Sequence, residues 1–103
     1  MKFGLKENII ADIKNVIAAF PEVDEALLYG SRAKGNYKPG SDIDLALKGD
    51  KLNISLINKI SLQLDDLYLP YTFDLSVFNH IDNSDLIDHI KRVGISLYKK
   101  GAY

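Results

Sequence analysis

The chain has 103 residues, too few for two domains and enough for one thin core that buries about two-thirds of the unfolded chain's surface. A net charge of -1, with 47% hydrophobic and 26% charged residues, fits an ordinary soluble protein and excludes the basic excess of a nucleic-acid coat. With no cysteine, no apolar run near the roughly 18 residues that cross a bilayer and no signal-peptide pattern, the sequence argues against disulfides, thiolate metal sites and membrane insertion, and a cytoplasmic location is expected.

Residues 5–20 place Leu5, Ile9, Ile10, Ile13, Val16, Ile17 and Phe20 at helical spacing, and Pro21 stops the run. Residues 23–29 read as a strand ending at Gly30, followed by a short helical turn from Ser31 and a loop, "GNYKPG". Residues 42–48, "DIDLALK", form a second strand. A second apolar stripe, Leu52, Leu56, Ile57, Ile60, Leu64 and Leu67, predicts a helix that Pro70 ends. Residues 71–78 alternate cleanly as a third strand, and 83–93 read as a helix with Asn83 or Ser84 as N-cap and Gly94 as its stop. The tail "ISLYKKG" is a short strand or an extended end. The order predicts an α/β layer fold backed by helices, in one small domain over 1–103.

Strand side chains alternate, so Ile43, Leu45 and Leu47 face the core while Asp42 and Asp44 project together from the other side, about 7 Å apart. Two carboxylates this close repel unless a cation sits between them, and a hard divalent ion such as Mg²⁺ prefers such oxygen ligands. On the third strand Asp74 is the only charge, on the face opposite Tyr71, Phe73, Leu75 and Val77. If the two strands are neighbours, Asp42, Asp44 and Asp74 suit a two-metal phosphoryl-transfer site, with Asp74 as ligand and base. Gly30 lets backbone approach a ligand, and Ser31 opens a turn whose N–H groups and hydroxyl can face phosphate oxygens. Arg32, Lys34 and Lys38 supply nearby positive charge, with Arg32 the candidate phosphate contact, and the sequence leaves open which of the three turns inward. Tyr29 reads as strand packing, and His80 and His89 as surface residues.

The segment "GSRAKGNYKPGSDID", with Gly30-Ser31, ten residues (32–41) and then Asp42-x-Asp44, resembles the signature of the nucleotidyltransferase superfamily that includes DNA polymerase beta. The small size and the form "GSRAKG…SDIDLAL" are similar to the minimal nucleotidyltransferases (MNT) of prokaryotes. The resemblance implies a mixed β-sheet and transfer of a nucleoside monophosphate, AMP from ATP, with two Mg²⁺ ions. By motif position it implies Asp42, Asp44 and Asp74 as catalytic metal ligands, and Gly30 and Ser31 as contacts to the β- and γ-phosphates. Larger members carry an acceptor-binding domain. MNT proteins instead pair with a helical HEPN-family protein, and such pairs resemble toxin–antitoxin modules in which a tyrosine of the HEPN toxin receives the AMP. Two alternatives stand beside this expectation: transfer to a small molecule of the aminoglycoside type with help from a partner subunit, and a non-catalytic NTP-binding or occluding protein.

Overall fold

The computed structural model describes residues 1–101. Four helices, α1 (Glu7–Ala18), α2 (Gly30–Lys34), α3 (Ile54–Asp65) and α4 (Ser84–Val93), alternate with four strands, β1 (Glu25–Tyr29), β2 (Ile43–Lys48), β3 (Phe73–Val77) and β4 (Ile95–Lys99). A 3-10 turn, Phe78–His80, follows β3. The element order is the one the periodicities predict, and the differences lie at the ends. The first helix starts at Glu7 because Lys2 and Leu5 bond to each other across a tight turn, with Phe3 at φ 57° and Gly4 at φ 75°, which withdraws Leu5 from the helix. The second strand starts at Ile43, so Asp42 stands just ahead of it. The third gives up Phe78 to the 3-10 turn, and the tail is a true strand.

Local chemistry starts the two later helices. The Asn53 side chain accepts from the Leu56 N–H at 2.9 Å, and Asn83 accepts from Asp85 and Leu86 at 3.0 and 3.2 Å. Each cap satisfies donors that the helix itself cannot, a gain of about 1 kcal/mol.

The strands form one mixed sheet in the order β3-β2-β1-β4. β1 runs antiparallel to both β2 and β4, while β2 and β3 are parallel and joined through α3. One face carries Ala26, Leu28, Ile43, Leu45 and Leu47 against Ile13 and Ile17 of α1 and Ile57, Ile60 and Leu64 of α3. The other face holds a smaller cluster of Tyr29, Ala46 and Ile90, closed by Leu27, Phe78, Ile81 and Leu86. The sheet is therefore sealed on one side and only partly covered by α4 on the other. Asp44 and Asp74 belong to that partly covered side, since their strand neighbours Leu45 and Leu75 pack into the main core.

Leu45 is fully buried, whereas Leu62 on α3 is 64% exposed. Leu45→Ala is expected to cost about 2–5 kcal/mol and Leu62→Ala less than about 0.5 kcal/mol, read from the midpoints of urea unfolding curves.

Candidate active site

The parallel pairing of β2 with β3 sets Asp44 opposite Asp74. The antiparallel pairing on the other side sets Tyr29, the residue before Gly30, opposite Asp44. Three adjacent strands thus bring the Gly30-Ser31 turn and the two carboxylates to one place. Gly30 adopts φ +74°, and a Cβ there would run into the Asp44 carboxylate. Only a residue without a side chain lets the turn take this backbone conformation and lie against the carboxylate.

The charges in this cluster act on one another. Burial first, then the charges of Asp74 and Asp42, hold the Asp44 carboxyl above the usual carboxylate range, and Arg32 opposes the rise only in part. Burial likewise raises the Tyr29 phenol; the neighbouring Ser76 hydroxyl opposes it, and Asp74 and Asp44 add to it. Tyr29 is 7% exposed, so it packs in the strand layer as its sequence position suggests. Among the described residues, no three acidic or histidine side chains converge closely enough to cage a metal ion. The donor chemistry nonetheless fits a hard cation: Asp44 is half-buried, lacks a salt-bridge partner among the described residues, and is repelled by two carboxylates. Asp42 and Asp74 are exposed and can turn toward such an ion.

Arg32 occupies a different place from the one expected for a phosphate contact. It is 2% exposed, its guanidinium turned inward. Nε and Nη2 both donate to the Ser41 carbonyl, at 3.1 and 2.8 Å; Nη1 donates to the Phe3 carbonyl at 2.8 Å, and Nη2 also reaches the Pro39 carbonyl at 3.4 Å. The rings of Tyr71 and Tyr37 lie 4.8 and 5.4 Å from its central carbon. The physical reason is the loop "GNYKPGS": a Gly- and Pro-rich connection carries carbonyls with no ladder partners, and a planar five-donor group satisfies several at once. Arg32 thereby fixes Ser41, the residue that delivers Asp42. Lys34 and Lys38 are exposed, and the Lys38 N–H is bound by the Ser41 hydroxyl at 2.8 Å.

His89 was expected at the surface and is half-buried instead. Its Nε2 accepts the N–H of Gly30 at 3.1 Å, and its ring meets Tyr29 edge-on at 6.2 Å. The available signal was helical spacing, since Leu86, His89, Ile90 and Val93 share the inward face of α4. His80 is exposed, as expected.

Two expectations follow from these contacts. Arg32→Ala strands several carbonyls and should cost about 2–4 kcal/mol, and Arg32→Lys should recover little, because a compact ammonium cannot span the Phe3, Pro39 and Ser41 carbonyls; chemical unfolding of the three proteins measures both. The raised Asp44 carboxyl means that the folded protein holds this proton more tightly than the unfolded chain. Stability then falls as pH rises from about 4 through the raised value. Without metal, Asp44→Asn should melt higher than the wild type at pH 7, by less than about 1 kcal/mol given solvent screening, and the gain should vanish toward pH 3.

The same fold occurs in known proteins. One chain of a solved toxin–antitoxin structure with AMP-PNP superposes with a TM-score of 0.71 at 21% identity, over 94% of this chain and 76% of that chain. A chain of the MntA–HepT toxin–antitoxin structure gives 0.68 at 17% identity, over 91% of this chain and 73% of the other. A chain from the tri-AMPylated Shewanella oneidensis HEPN toxin in complex with MNT antitoxin gives 0.68 at 16% identity, over 92% and 73%. At these identities the likeness is one of fold. No curated protein matches the chain in sequence. The family model described as "Polymerase beta, Nucleotidyltransferase" matches residues 11–102, a span that holds the Gly30-Ser31 turn and all three carboxylates. On that match, the chain belongs to the polymerase beta nucleotidyltransferase family.

Proposed function

We propose that this chain is a minimal nucleotidyltransferase that moves AMP from ATP to a tyrosine hydroxyl of a HEPN-family toxin and so acts as its antitoxin. The observation that carries the chemistry is the register of Asp44 against Asp74 on adjacent parallel strands, beside a turn that only glycine permits. The partner rests on the fold likeness to chains of toxin–antitoxin structures, one with AMP-PNP and one with an AMPylated HEPN toxin. The family is metal-dependent in general, and Mg²⁺ is the ion that suits aspartate and phosphate oxygens.

In this reading Asp42, Asp44 and Asp74 hold two Mg²⁺ ions. The bound ions supply neutralisation of the triphosphate and a lower pKa for the attacking hydroxyl. The Ser31 N–H and hydroxyl seat the β- and γ-phosphates, Gly30 lets the backbone approach them closely, and Arg32 keeps the loop before Asp42 in its path. The tyrosine oxygen attacks the α-phosphorus and a new O–P bond forms. The bond from that phosphorus to the bridging oxygen breaks, and pyrophosphate leaves. Asp74, exposed at the sheet edge, receives the hydroxyl proton as the acceptor approaches. An acceptor protein can reach this face because α4 covers only part of it.

Incubation with α-³²P-ATP and Mg²⁺, with and without the HEPN partner, tests the proposal. Label is expected on a partner tyrosine with wild type and is expected to fall by at least about a hundredfold with Asp42→Asn/Asp44→Asn. The double mutant should remain folded. Partner silencing that survives the double mutation, with no label transferred, would instead mark an occluding protein.

A further inference from the structure

Among the described residues, the one side-chain hydrogen bond to the Gly30-Ser31 turn comes from His89, 59 residues away in sequence. Gly30 must hold φ +74° while the Asp44 carboxylate sits where a Cβ would be. A glycine in this position has no side chain to fix it, and its own flexibility works against a single conformation. Its N–H opens α2 and has no carbonyl of a preceding helical turn to accept it. The imidazole supplies that acceptor at 3.1 Å. Accepting at Nε2 requires a neutral ring with its proton on Nδ1.

The ring is itself held. It packs edge-on to Tyr29 at 6.2 Å with an interplanar angle of 79°. Its neighbours on the inward face of α4 are Ile90, 1% exposed, and Leu86, which closes the cluster around Tyr29 and Ala46. Asn83 anchors the start of the same helix by accepting two N–H groups. The charged residues Asp88 and Arg92 pair with each other on the exposed face at 2.8 Å and leave the ring alone. A capped helix thus presents one acceptor to one amide.

We infer that His89 is a positioning residue for the triphosphate: its Nε2 fixes the Gly30 amide, and so fixes the direction in which the Ser31 amide and hydroxyl meet the β- and γ-phosphates. This rests on the nucleotidyltransferase reading of the site. It assigns His89 no contact with substrate and no proton transfer. Its effect falls on the groups beyond the α-phosphate, so a nucleotide that lacks them does not feel it.

Two variants of the full chain separate this role from simple packing. His89→Phe keeps a ring against Tyr29 and removes the acceptor, and His89→Gln keeps an acceptor oxygen near the position of Nε2. In the presence of Mg²⁺, ATP affinity is expected to fall about tenfold in His89→Phe and to return to within about twofold of wild type in His89→Gln, with AMP affinity unchanged in both. In transfer assays the loss in His89→Phe should appear in KM for ATP more than in kcat. A through-hydrogen-bond ¹⁵N–¹⁵N coupling between Gly30 and His89 Nε2 should be present in the ligand-free wild type. Equal ATP affinity in wild type and His89→Phe would overturn the assignment of His89 alone. So would equal losses in both variants, or parallel losses for ATP and AMP. Absence of ATP binding by the wild type would overturn the reading of the site, and this inference with it, even if the coupling were observed.

Discussion

The pairing of β2 with β3 is the constraint on which the site depends. Parallel strands cannot be joined by a tight turn, so α3 must carry the chain back across the sheet, and its apolar stripe must find the same face as Ile43, Leu45 and Leu47. Once that face is buried, a slip of one residue would turn every apolar side chain outward. The register is therefore enforced by hydrophobic burial on one side of the sheet, and Asp44 stands opposite Asp74 on the other side as a result. Two repelling carboxylates are held together by a core they do not touch.

This division of labour recurs on β1. Leu28 packs into the main core, while Tyr29 points to the opposite layer and leads directly into Gly30. The turn inherits its place from the strand before it, its backbone conformation from the absence of a side chain, and its remaining freedom is limited by α4. The partly covered face brings together backbone, carboxylates and one imidazole. The family's chemistry needs such a face, because a triphosphate and an acceptor must both reach it.

Much of this was legible in the sequence. Alternation in "DIDLALK" and "YTFDLSVF" gave the facing of Asp44 and Asp74 correctly, and helical periods located α1, α3 and α4 to within a few residues. The spacing of Gly30-Ser31 to Asp42-x-Asp44 carried the family, as the match over 11–102 bears out. The mixed sheet came only with the resemblance, and the strand order β3-β2-β1-β4 was not legible at all, because no local pattern encodes it. Two side chains were read differently from their place in the fold. Arg32 sits in the short helix α2 just ahead of a loop rich in Gly and Lys, where a cation suggests a ligand, and its carbonyl partners leave no signature because every residue has one. His89 meets Gly30 across 59 positions, and nothing near either residue announces the other.

Because Arg32 grips main-chain oxygens at Phe3, Pro39 and Ser41, it prescribes a path and leaves the wording of that path largely free. Side chains along residues 36–40 can drift wherever the carbonyls stay in reach, provided an aromatic ring flanks the guanidinium. The side chains of that loop can therefore change while Ser41 and the start of β2 keep their place. A catalytic frame tied down through its backbone is free to change the company it keeps.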